Sequence, residues 1–186
     1  MRAVLVALLL SAASAAAEPR AWVIDAGAST LGVVYLINGE KRRGVIRHFE
    51  GEARFDPDDL ADAELDLVID MDSVDVGEPF GTMIVKTADW FDVYGHPTAR
   101  YSLDSLEAKA PGAYIAHGRL TMRGKEHPVT GALSLELGDD VARAGGEAEF
   151  PRSLYGIGVG FTALFVEVGD EVGVEFDLIA RPKGGQ

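Results

Sequence analysis

Apolar residues recur at every second position in one run after another along this chain, and turn-forming residues separate the runs. Leu31, Val33, Tyr35 and Ile37 alternate, then Asn38-Gly39 interrupts; Phe49, Gly51, Ala53 and Phe55 alternate up to the acidic turn Asp56-Pro57-Asp58-Asp59. A period of two puts successive side chains on opposite faces of an extended segment, so each run predicts a strand with one apolar face. Leu65, Leu67, Ile69 and Met71 face one way in the next run, with Glu64, Asp66, Asp70 and Asp72 facing the other. Tyr114, Ala116, Gly118, Leu120 and Met122 repeat the pattern after Pro111-Gly112, followed by Leu133, Leu135 and Leu137, and finally by Val172, Val174, Phe176 and Leu178. Asn38-Gly39 is a dipeptide that favours positive φ and predicts a hairpin turn.

The stretch from Ala88 to Leu103 breaks the pattern. Trp90 and Phe91 stand between Asp89 and Asp92, Gly95-His96-Pro97 interrupts regular structure, and alternation resumes at Ala99, Tyr101 and Leu103. It reads as an aromatic plug, a turn and a strand. Just before it, Gly77 to Thr87 is the one place for a short helix or a loop laid over the sheet, which makes Trp90 and Phe91 candidates to join a lid to the sheet and to line or gate its mouth.

Eight or so strands with short turns and one helical or loop insertion predict an all-β, antiparallel fold. It is a sandwich or a barrel. A series of nearest-neighbour hairpins closes most simply into an eight-stranded up-and-down barrel, and such a barrel can hold one small ligand. The inward faces mix Ala and Gly with Phe, Tyr and Met, which leaves room inside or fits the taper of a filled barrel. Candidate ligand-binding residues on those faces are Val33, Tyr35, Ile69, Met71 and Tyr101. Leu120, Phe161 and Phe176 join them, with Trp90 and Phe91 from the plug.

Composition narrows the setting. Met1-Arg2, the apolar run Ala3 to Leu10 and the small residues Ala15-Ala16-Ala17 predict a secretory signal peptide over residues 1–17, leaving residues 18–186 as one exported domain, periplasmic or secreted. The chain has no cysteine, so its fold rests on a core and not on disulfides. The net charge of −13 argues against nucleic acid as a partner and against purely electrostatic membrane docking. The basic patch Lys41-Arg42-Arg43 is expected on a loop or an exposed edge, where solvated charge discourages strand pairing.

Motifs for chemistry are sparse. His48, His96, His117 and His127 lie on separate segments without metal-ligand spacing, so no metal site is expected. No serine sits in a nucleophile elbow, and Gly156, Gly158 and Gly160 do not match a dinucleotide fingerprint. No catalytic residue is assigned, and the expectation is a binding protein and not an enzyme.

Several residue groups, in order, resemble the YceI-like family of polyisoprenoid-binding proteins. They are Trp22-Val23-Ile24-Asp25 with Ser29, the stretch GVIRHFEG from Gly44 to Gly51 leading into Phe55-Asp56-Pro57, and Ser73-Val74. They continue with Trp90-Phe91-Asp92 and Pro97, Gly118 to Gly124 with Pro128-Val129, and Arg152 ahead of Tyr155-Gly156-Ile157-Gly158. The chain departs from the family pattern at Ala28, often histidine, at Ile46, often aromatic, and between Phe80 and Lys86, where an upstream aspartate has no counterpart. The resemblance implies a lipocalin-like eight-stranded barrel whose apolar cavity takes an isoprenoid lipid or isoprenoid quinone as a non-covalent ligand. It further implies a carrier or storage role, with transient contact to a membrane or a membrane redox protein. A lipid-modifying enzyme and a partner-binding module are the alternatives.

Overall fold

The computed structural model describes residues 20–57, 59–161, 164 and 166–184; the expected signal peptide lies outside them. The strands are β1 Arg20–Ile24, β2 Thr30–Ile37, β3 Glu40–Ile46, β4 Phe49–Asp56, β5 Asp59–Asp70, β6 Val74–Asp75, β7 Thr98–Ala110, β8 Ala113–Met122, β9 Lys125–Leu137, β10 Ala142–Pro151 and β11 Glu171–Pro182. One short helix, α1, covers Pro79–Val85. The sheet order is β1-β4-β5-β7-β8-β9-β10-β11-β2-β3-β6, and a further pairing of β1 with β11 closes the ring.

The eleven segments are eight ribbons, three of them bent. β1 and β2 follow one another along the same edge of β11, Trp22 opposite Pro182 and Leu31 opposite Phe176. β3 and β4 form the second ribbon, and β5 with β6 the third. The bends are held by side chains. Between β1 and β2, Ser29 Oγ donates to the Asp25 carbonyl at 2.7 Å and accepts from the Ile179 N–H at 2.9 Å, while Arg181 Nε donates to the Asp25 carboxylate at 3.0 Å. Between β5 and β6, a 3-10 turn at Met71–Ser73 buries Ser73, whose hydroxyl donates to the Asp70 carbonyl at 2.6 Å and accepts from the His48 N–H at 3.0 Å. These contacts give a physical reason for Asp25, Ser29 and Ser73 in the motifs read from the sequence.

Every ribbon pairs with its neighbours in the chain, so the topology is the up-and-down barrel expected. Asn38 and Gly39 join β2 to β3 with φ of 50° and 78°, as a two-residue hairpin of this composition requires. Arg123 and Gly124 do the same between β8 and β9, with φ of 51° and 69°.

The two ends differ. At one, the floor, short connections join the ribbons. At the other, the cap, the chain inserts residues 76–97, which contain α1, and residues 152–170. The sequence reading anticipated only the first as a long non-strand segment. The second carries the glycine run, in which Gly156 and Gly158 take φ of 70° and 63° and turn the chain out of the sheet.

Candidate functional site

The inward faces of the ribbons enclose a cavity of about 760 Å³, a size suited to one small molecule or a length of lipid chain. Its wall follows from the period of two. On β8 and β11, Ala116, Leu120, Met122, Val172, Val174, Phe176 and Leu178 face in, while the charged residues between them face water. On β7, Ala99, Tyr101 and Leu103 face in, a bulge at Asp104 shifts the parity, and Leu106 faces in thereafter.

Nine of the ten sequence candidates line this cavity: Val33, Tyr35, Ile69, Met71, Trp90, Phe91, Tyr101, Leu120 and Phe176. The tenth does not. Phe161 is 70% exposed at the cap, on the second insertion, where strand alternation does not apply. Met71 keeps its inward direction although β5 ends at Asp70 and Met71 opens the 3-10 turn.

Rings lie at the floor. Phe55 on β4 meets Tyr114 on β8 edge to face, centroids 5.6 Å apart. Trp22 lies against the same end of the cavity, 3% exposed, with the Arg20 guanidinium 4.7 Å from its ring centroid; its indole N–H has no hydrogen-bond partner among the described residues. Beside the floor, β5 and β7 pair only from Asp66 opposite Ser102 to Asp70 opposite Thr98.

The cap is built from α1 and the second insertion. Glu78 caps α1 by accepting from the Phe80 N–H at 3.2 Å and from the Gly81 N–H, and Pro79 opens it. Spacing of four residues turns Phe80, Ile84, Gly81 and Val85 toward the cavity. Phe80 is also 65% exposed, which marks the mouth. Trp90 is not at that mouth: it is 6% exposed and wedged under the second insertion. An added Cβ at Gly158 would stand 2.8 Å from the Trp90 ring, so only glycine lets the chain cross there. The Gly158 N–H donates to the Asp89 carbonyl at 2.8 Å, and Arg123 donates to the carbonyls of Ala88 and Gly156, tying both insertions to one hairpin. The plug joins the two insertions, with Trp90 buried in that joint.

Polar groups are few in the wall. Arg152 donates to the carbonyls of Val168 and Gly169 at 2.9 Å each and to those of Ile157 and Gly158, so its guanidinium folds the second insertion around itself. Tyr35 donates to the Val76 carbonyl at 2.8 Å. Burial raises the Tyr35 phenol above its usual range; burial, then the negative charge of Asp104, pushes the Tyr101 phenol up to about 12. None of the four histidines lines the cavity. His48 faces Asp70, His96 faces Asp92, His117 contacts Thr130 and Glu107, and His127 contacts the Leu154 carbonyl. Among the described residues no cluster of His, Asp and Glu could hold a metal ion, and no helix is long and apolar enough to cross a membrane. The wall can enclose apolar matter and offers few polar handles.

A family model described as the YceI-like domain matches residues 22–180, nearly the whole barrel. The chain belongs to the YceI-like family. Among solved structures, BcnA from Burkholderia cenocepacia is similar at 26% identity and a TM-score of 0.77, covering 84% of this chain and 98% of that one. A polyisoprenoid binding domain from Saccharophagus degradans matches at 16% identity and a TM-score of 0.70, covering 88% of this chain and 99% of that one. The YceI protein of Campylobacter jejuni matches at 15% identity and a TM-score of 0.64, covering 76% and 85%. The last two, at such low identity, speak for the YceI-like fold alone. No curated protein matches the sequence significantly.

Proposed function

We propose that this YceI-like domain binds one isoprenoid lipid, with a quinone-type compound as the leading cargo, and carries or stores it outside the cytoplasm. The observation that carries the reading is the closed barrel around an apolar cavity of about 760 Å³. The polyisoprenoid-binding relative from Saccharophagus degradans supports the same chemistry for a shared fold. The leader read at residues 1–17 supports export. The role is binding and not catalysis.

Burial from water is worth roughly 0.8 kcal/mol per CH₂, so each five-carbon unit contributes on the order of several kcal/mol. Against a bilayer the gain nearly vanishes, because the tail exchanges one apolar medium for another. That balance suits a shuttle, which must shield its cargo in water and still release it. The exposed apolar residues at the cap, Phe80 and Met83 on α1 and Val159, Phe161 and Leu164 on the second insertion, fit exchange with a membrane at that end.

Extraction of the purified native protein into organic solvent, followed by mass spectrometry, tests the reading. The expected result is an isoprenoid lipid that is lost in Ala148→Phe, a substitution that fills the cavity wall. Recovery of no lipid, together with no binding of an added long-chain quinone, would overturn it.

A further inference from the structure

Tyr101 differs from Tyr35 and Tyr155. Tyr35 donates to Val76, and Tyr155 donates to the Leu120 carbonyl at 3.2 Å, but the Tyr101 hydroxyl makes no hydrogen bond among the described residues. Its position is nevertheless fixed. Tyr101 sits in register between Leu67 on β5 and Leu120 on β8, while an added Cβ at Gly118 would lie 2.5 Å from its Cζ and hydroxyl oxygen. Gly118 is opposite Leu103, two residues nearer the floor than Leu120. The ring therefore lies flat along the wall over Gly118, with the hydroxyl directed down the barrel.

A half-buried hydroxyl that faces the cavity and has no partner among the described residues can donate to a ligand oxygen that enters there. A tyrosine phenol stays protonated throughout the physiological range, so it can act as a donor. A charged oxygen is poorly served there. Asp104 contributes negative charge, Arg152 is committed to four carbonyls, and Arg54 pairs with Glu64 at 3.7 Å. Arg54 and Arg152 are the cations that line the cavity among the described residues, so a phosphate beside Tyr101 would compete with those contacts.

We propose that the Tyr101 hydroxyl is the polar anchor of the cavity and donates to an uncharged oxygen of the cargo, such as a quinone carbonyl, so that the head group lies inside the barrel. The proposal rests on the carrier reading and deepens it: it makes Tyr101 and Gly118 determinants of head-group specificity.

The test compares three probes by competition with a fluorescent lipid: a benzoquinone with an isoprenoid tail, squalene as a hydrocarbon without a head group, and a polyprenyl monophosphate. Tyr101→Phe keeps the ring and breaks no bond within the protein. It is expected to weaken quinone binding roughly three- to tenfold, in line with one hydrogen bond, while squalene binding is unchanged. The infrared carbonyl stretch of the bound quinone is expected lower in the native protein than in Tyr101→Phe. Equal quinone affinity in the native protein and Tyr101→Phe, or phosphate binding as tight as quinone binding, would overturn the anchor and leave the carrier reading standing. Failure of the native protein to bind any of the three would overturn both.

Discussion

Phe55 on β4 and Tyr114 on β8 meet edge to face at 5.6 Å and 82°, although β5 and β7 separate their strands around the ring. The contact crosses the interior and not the sheet surface, and it makes the floor of the cavity. An aromatic pair of this geometry is worth about 0.5–1.5 kcal/mol beyond the area it buries. A double-mutant cycle of Phe55→Leu and Tyr114→Leu in urea denaturation is expected to return a coupling of about 1 kcal/mol. Additive losses would show that the floor is held by its strands alone.

Gly158 has a φ of 63° and faces the Trp90 ring. Gly158→Ala meets both the left-handed backbone penalty and the clash, and is expected to cost about 2 kcal/mol or more. Because the cost falls where the insertions join, tryptophan fluorescence should change along with stability, and amide exchange should quicken at Gly158 before it does in the barrel strands.

Arg152→Leu keeps much of the side-chain bulk and leaves the carbonyls of Ile157, Gly158, Val168 and Gly169 without their donor. A buried acceptor left unpaired costs about 1–3 kcal/mol, and several of the four should be reached by water once the insertion loosens. The expected outcome is a loss of about 2–4 kcal/mol in urea denaturation, with amide protection lost at Ile157, Gly158 and Gly169 ahead of the barrel strands.

Stability should fall in alkali. Burial pushes the Tyr155 phenol up to about 12 from an ordinary 10.0, and Tyr101 is raised similarly. Below the unfolded value both states keep the proton and the stabilisation is complete. Between the unfolded and folded values the unfolded chain binds fewer protons, so stability decreases as pH rises. Urea midpoints measured from about pH 9 to pH 12 should trace that decline, and Tyr155→Phe should make it shallower by about one proton.

Much of the barrel was legible in alternation alone. Period two fixes which side chains share a face, and the strand faces were apolar, so seven wall residues from Val33 to Phe176 could be named by alternation, while Trp90 and Phe91 came from the plug. Phe161 could not be placed by that rule, because its segment leaves the sheet. Trp90 and Phe91 were recognisable as rings needing cover, yet nothing local distinguished a gate from a buried joint. The partner that decides the matter, Gly158, is far along the chain.

The sequence by itself determined most of the strands, their apolar faces and their hairpin order, because strand alternation and turn chemistry act within a few residues; β3 and β6, which carry no such alternation, were not read from it. Tertiary structure decided what depends on closure: the pairing of β1 with β11, the floor made by Phe55 and Tyr114, the joint of the two insertions, and the placing of the Tyr101 hydroxyl over Gly118. These are contacts between residues distant in the chain, and their geometry is set only when the ring of strands is complete.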